Sequence, residues 1–295
     1  FHPRPGTDID LRFQRQMLDL SFPLMINHLL ATIFFRINIL LLKPMQGDAA
    51  VGYYGAALKY IDGLIVIPSF FTIAIFPLMS RYAATARESL LRAYILALRL
   101  LLMLAFPIAV GTPFIARELI LILGGGEYLP HSMIALQLLI GFFPFSCINQ
   151  VTQYVLIALD QQRFLTKAFM IGVAFNLIAN LIFIPMYSYQ AAAVIAIFSE
   201  IVLLIPFYYG VRRNLAPIPW LSIIWRPALA SALMGAVMWL LRGLNVLLLI
   251  PVAAVIYFVA LIAVGAFGEE EICLLYTSDA ADDLLCVDLG GRRII

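Results

Sequence analysis

Charge is scarce in this chain. Only 12% of its 295 residues are Asp, Glu, Lys or Arg, while 63% are hydrophobic. A soluble domain is about one quarter charged, so a solvated surface cannot be assembled here and an ordinary water-soluble fold is excluded. The net charge of +2 is spread along the chain, which argues against a nucleic-acid partner. Cysteine and histidine are nearly missing. Cys147, Cys273 and Cys286 form no CxxC, and His2, His28 and His131 stand far apart with no HExxH. Neither a zinc site nor a disulfide framework is indicated, and no cofactor is expected. The opening FHPRPGTDIDLRFQRQMLDL is polar and holds three arginines, so it is no signal peptide. The glycines of GGGEY at 124–128 follow no strand and precede no GK[ST], so they are a loop and not a nucleotide site.

What is present is long apolar sequence, with a mean hydropathy of +0.99. Eight windows are long enough to cross a bilayer: 20–43, 51–78, 92–115, 132–159, 164–186, 189–211, 223–241 and 245–267. The connections between them, such as KPMQGDAA, SRYAATARES, IPMYSYQ and RRNLAPIP, carry Gly, Pro, Ser or charge. Backbone groups in hydrocarbon must pair within their own segment, so spans of this length read as helices. The expected fold is all-α, a polytopic transmembrane bundle over residues 20–268, with 1–19 as a cytoplasmic lead-in.

Basic residues alternate between the two sets of connections. Arg4, Arg12, Arg15, Arg81, Arg87, Arg92, Arg163, Lys167, Arg212 and Arg213 fall on one side, ten against Lys43, Arg117 and Arg242 on the other. The positive-inside rule places the N-terminal end in the cytoplasm.

Three stretches resemble Wzx-type oligosaccharide flippases of the multidrug/oligosaccharidyl-lipid/polysaccharide exporter superfamily. In GDAAVGYYGAALKYIDGLIVIPSFFTIAIFPLMSRYA the matching positions are Gly52, Tyr54, Ala57, Pro77, Leu78 and Ser80. In FNLIANLIFIPMYSYQAAAVIAIFSEIVLLI they are Asn176, Asn180, Ile184, Pro185, Ala192, Ala193 and Glu200; LIALDQQRF is a weaker third match. The resemblance covers about residues 10–268. It implies that the eight spans correspond to the C-terminal lobe of a fourteen-helix transporter whose N-terminal lobe is missing. It further implies an inner-membrane location, a polyprenyl-linked glycan substrate and no enzymatic activity. The final stretch, YTSDAADDLLCVDLGGRRII, departs from this character and resembles translated sequencing-adaptor DNA, so residues 273–295 are set apart as a non-family tail.

Polar residues inside spans are costly and therefore informative. Arg36 sits in IFFRINILLLK with Lys43 seven residues on, on roughly the same helical face. Facing a cavity, that pair suits the diphosphate of the lipid-linked sugar; facing outward, Arg36 snorkels and Lys43 ends the helix. Family members often carry an acid beside such an arginine, where this chain has Asn38. Ion coupling, if it exists, must then use another carboxylate. Asp62 follows Lys59 at i,i+3, a spacing at which the two can neutralise each other or serve a gate. Glu200 lies mid-span with no basic residue within a turn, so it is a proton-carrier candidate. Asn176 and Asn180 at i,i+4 read as helix-packing glue, as do Gln150 and Gln153. Arg99, two turns into the third span, either snorkels or draws an anionic headgroup toward the cavity.

The expected function is a flippase for lipid-linked oligosaccharide. A multidrug exporter of the same fold would favour acidic cavity residues over this set of Arg36, Lys43, Lys59 and Arg99. A membrane-embedded glycan polymerase or ligase would need paired catalytic acids in a sizeable outer loop, and no outer loop exceeds about fifteen residues.

Overall fold

Glycine at 47 is where the first helical run reverses. In a computed structural model, which describes residues 11–266, helix α1 (Leu11–Thr85) carries Gly47 at φ 80°, ψ −179°. A side chain is disfavoured at that positive φ, and glycine alone adopts it without strain. The chain folds back there: Arg36 meets Asp62 and Asn38 meets Tyr54, pairs centred near the break. So α1 is a helical hairpin, with limbs 11–46 and 48–85.

A second reversal repeats the design. Helix α5 (Gln162–Asn214) breaks at Ser188, with φ 53° and ψ −137°. Pro185 stands three residues ahead of it; it offers no N–H to the Leu181 carbonyl, and its ring crowds that group. The break leaves the Ile184 carbonyl without its helical partner, and Gln46 Nε2 of α1 donates to it at 3.1 Å. The two hairpin tips thus lie side by side, and α1 satisfies an open backbone group of α5.

Helix α2 (Arg87–Gly124) holds Pro107 and Pro113. Pro107 does not interrupt the helix. Proline at 107 frees the carbonyl four residues back, and the Tyr257 hydroxyl donates to that Met103 oxygen at 2.5 Å. The span predicted at 132–159 is built in pieces: α3 (His131–Leu139), a 3₁₀ turn (Ile140–Phe142) and α4 (Phe143–Ala158). Pro144 cannot bond back to Ile140, and the turn tightens there.

Helix α6 (Trp220–Leu240) and α7 (Val246–Ala263) complete the described chain. Asn245 caps α7 by accepting from the Leu247 amide at 3.0 Å, and Arg226 of α6 donates to the Gly265 carbonyl past its other end at 2.6 Å. Arg226 therefore closes a helix end.

Among the described residues, six helical stretches are long and apolar enough to cross a membrane. With α1 and α5 each broken into two limbs, they supply the eight predicted segments. The chain is a multi-pass membrane protein, all-α among its described residues. Helix α1 begins at Leu11, inside the stretch read as a lead-in, and the predicted tail at 273–295 lies outside the described residues. Hairpins α1 and α5 pack on one another, α4 fills the angle between them and α2, and α6 and α7 lean on α2.

Candidate functional site

Between the two hairpins lies a cavity of about 280 Å³. Both limbs of α1 and both limbs of α5 reach it, and Leu139 and Phe142 close its floor. Five of the residues singled out from sequence line it: Arg36, Asn38, Asp62, Asn176 and Glu200.

Arg36 Nη1 donates to Asp62 Oδ2 at 3.1 Å, with both side chains about half exposed, 49% and 42%. The neutralising acid comes from the returning limb of the same hairpin. The expected Lys59–Asp62 pair is corrected by this finding: Lys59 is exposed, and Asp62 turns to Arg36 instead. The reason is the hairpin register set at Gly47, which brings Asp62 against a guanidinium that would otherwise stand alone in apolar surroundings.

Below this pair runs a buried amide chain. Asn180 Nδ2 donates to Asn38 Oδ1 at 2.7 Å, and Asn38 Nδ2 donates to the Tyr54 hydroxyl at 3.3 Å. Asn180 also bonds the Asn176 carbonyl oxygen at 2.8 Å and, at very short range, its side-chain oxygen. All four residues are at most 3% exposed. The chain ties α5 to both limbs of α1 through Asn180, while Asn176 bonds Asn180 within its own helix. It also engages Asn38, whose side chain is committed to its neighbours on either hand.

Glu200 is 1% exposed. Asn149 Nδ2 of α4 donates to its Oε2 at 2.6 Å and to its backbone oxygen at 2.8 Å, while Oε1 has no hydrogen-bond partner. An unpaired carboxyl oxygen in so enclosed a place is a costly feature with an open coordination position.

The other predicted residues lie elsewhere. Lys43 pairs with Asp48 at 3.3 Å near the hairpin tip, where both side chains are largely exposed. Arg99 is half-buried within α2 and does not line the cavity. Sequence reading passed over Asn149, and it named Tyr54 only as a position of the resemblance and not as a polar partner. Each carries a signal, a polar group inside a span, but neither has a charge to draw attention. Gln150 donates to Ser69 Oγ at 2.8 Å, the interhelical bond expected of it.

A second, larger cavity of about 620 Å³ opens among α2, α6 and α7. Its walls are Leu, Ile, Met, Ala and aromatic side chains, with Thr112, Tyr60 and Tyr257 the only hydroxyls. No cluster of three or more metal-ligating side chains occurs among the described residues.

The described chain is a helical bundle built from two broken hairpins around a polar cavity. The comparisons place that fold. The chain is similar to the lipid II flippase MurJ in an inward closed conformation, with TM-score 0.71 and 15% identity over 88% of this chain. It spans 56% of that protein's length. It is also similar to a MATE protein in the bent conformation, with TM-score 0.60 and 17% identity, covering 90% of this chain and 67% of that one. A superfamily transporter from Pyrococcus furiosus, described by the reversed polarity of its binding pocket, aligns with TM-score 0.56 and 16% identity over 88% and 66%. These likenesses show that the chain shares the fold of those proteins. Residues 1–133 match the family model described as polysaccharide biosynthesis protein. No curated protein matches it.

Proposed function

We propose that the protein carries a polyprenyl-diphosphate-linked oligosaccharide across the cytoplasmic membrane, with the N-terminal end of this chain in the cytoplasm. One observation carries the reading: a permanent cation, Arg36, stands in a polar cavity between hairpins and is held by a single half-exposed carboxylate. Arginine cannot discharge at physiological pH, and its fork fits two phosphate oxygens at once. A diphosphate entering the cavity competes with Asp62 for the guanidinium. Asp62 then holds the arginine between substrates, and the exchange of one anion for another avoids stranding a charge in hydrocarbon.

The apolar cavity among α2, α6 and α7 supports the same reading. An amphiphile needs a polar site for its head and an oily one for its tail, and the chain has both. A facing lobe of similar build would complete the head site, and rocking of the lobes would expose it to each side in turn.

A second reading is a multidrug exporter, favoured by the two carboxyls Asp62 and Glu200 at the cavity. One experiment separates them. In a complete protein that contains this chain, Arg36→Ala is expected to abolish export of lipid-linked oligosaccharide with insertion unchanged, and Arg36→Lys to restore part of it. Unaltered glycan export in Arg36→Ala, with drug efflux lost in Asp62→Asn and Glu200→Gln, supports the exporter instead.

A further inference from the structure

The hairpin of α5 brings its own two ends together at the face opposite its tip. Phe164 of the first limb and Tyr209 of the second lie with ring centroids 6.4 Å apart. Gly210 makes the approach possible, because a Cβ there would stand 2.6 Å from Phe164 Cε1. Beside these rings is a small cavity of about 220 Å³, lined by Gln161, Phe164, Tyr209, Gly210, Arg213 and Asn214. It is separate from both cavities described above.

The surroundings are strongly basic. Arg163 and Lys167 enter from the start of α5, Arg212 and Arg213 from its end, and Arg87 donates to the Asn214 carbonyl oxygen at 3.4 Å. Asp160, in the connection ahead of α5, and Glu88, beside Arg87, are the acids nearby in sequence. Arg213 lines the cavity, and no ion pair engages it among the described residues. The Asn214 side chain is turned back to the Gly210 carbonyl, at 2.8 Å, so it ends the helix rather than filling the space. Tyr209, 56% exposed, forms the outward wall at the helix end, where aromatic rings sit at the membrane–water boundary.

We infer that this cavity is a binding site for the phosphate headgroup of an anionic phospholipid in the adjoining leaflet. Arg213 and the Gln161 amide meet the phosphate, and the Phe164–Tyr209 wall packs against the glycerol and the first acyl carbons. Basic pockets between helices at a membrane surface recognise such headgroups, and aromatic rings beside them suit a ligand that is half polar and half oily. The inference does not depend on which substrate the central cavity carries.

The test uses the purified full chain in nanodiscs and native mass spectrometry. Phosphatidylglycerol is expected to be retained over phosphatidylcholine. Arg213→Ala is expected to weaken that retention about fivefold, the effect of one basic residue at a lipid surface. Arg212→Ala, an equal change in charge one residue away but outside the cavity, is expected to leave it unchanged, and Arg213→Lys to keep most of it. A matching melting temperature for Arg213→Ala shows that the fold is intact. Equal losses in Arg212→Ala and Arg213→Ala would overturn the site in favour of diffuse surface charge. Equal retention of the two lipids would also overturn it. Displacement of phosphatidylglycerol by millimolar inorganic phosphate would assign the cavity to a soluble anion.

Discussion

Two regions of the bundle are held together by different forces. Where α1, α4 and α5 meet, the interior includes Asn27, Asn38, Asn149, Thr152, Asn176, Asn180, Ser199 and Glu200, each at most 4% exposed. Where α6 and α7 pack on α2, the buried side chains are mostly Ala, Leu, Ile, Met, Pro and Tyr, joined by Thr112 and Ser231. In a bilayer the lipid tails are as apolar as leucine, so burying leucine gains little over leaving it in lipid. Directional bonds between amides and carboxyls then decide which helices stay in register. The α1–α5 region has them in quantity and is specified. The α6–α7 region has few, and its large apolar cavity shows that its helices are not drawn tight. The polar region sets the register of its helices, and the apolar region leaves a cavity between its own.

That contrast can be broken most severely at the cavity. After Arg36→Ala, the next largest effect is expected from Glu200→Gln. It should keep insertion and the Asn149 contact on one oxygen while removing any dependence of transport on an imposed proton gradient. Proteoliposome transport with and without the gradient measures this, and an unchanged gradient response removes Glu200 from coupling. Asp62→Asn should act in the opposite sense to Arg36→Ala on binding. With its resident carboxylate gone, Arg36 should hold a diphosphate lipid about fivefold more tightly, taking about 1 kcal/mol as the size of one released competitor at a half-exposed pair. Binding of a short-chain diphosphate lipid by calorimetry reports it, and weaker binding would show Asp62 contributing in another way.

Smaller effects sharpen the difference between regions. Ala254→Trp, which fills the apolar cavity, should raise the KM for a long-chain substrate and leave that for a short-chain one alone. Equal changes for both would mean the cavity takes no tail. Asn180→Ala should cost about 0.6–1.7 kcal/mol, the range for hydrogen bonds between membrane helices, read as unfolding in mild detergent. Tyr257→Phe should cost about 0.6 kcal/mol, because it loses a single bond to the carbonyl that Pro107 frees. Should Tyr257→Phe prove the more damaging of the two, the polar region would not be the one that specifies the bundle.

The costs were legible in the sequence, and the partners were not. A charged or amide side chain in an apolar run announces itself, which is why Arg36, Asp62, Glu200, Asn176 and Asn180 stand out without coordinates. Their pairing is a different matter. Lys59 and Asp62 have a spacing that lets neighbours on one helix meet, yet the structure joins Asp62 to a residue 26 positions away. Asn38 reads as a lost acid beside Arg36, and its role is to accept from Asn180, 142 positions on. Lys43 shares a stripe with Arg36 on paper, but it stands at the tip and pairs with Asp48.

From residue types and spacing alone came the membrane environment, the helical class, eight span-length segments and the polar residues that must be accounted for within them. Each follows from local physics: the length needed to cross hydrocarbon, the need to pair backbone groups and the cost of a buried charge. The tertiary structure decided that Gly47 and Ser188 turn two runs into hairpins and that their tips share the Gln46 bond. It decided that Arg36 answers to Asp62 and that the ends of α5 close on one cavity. Contacts between residues tens to hundreds of positions apart leave no period in the sequence, because they depend on the angle and register at which whole helices meet.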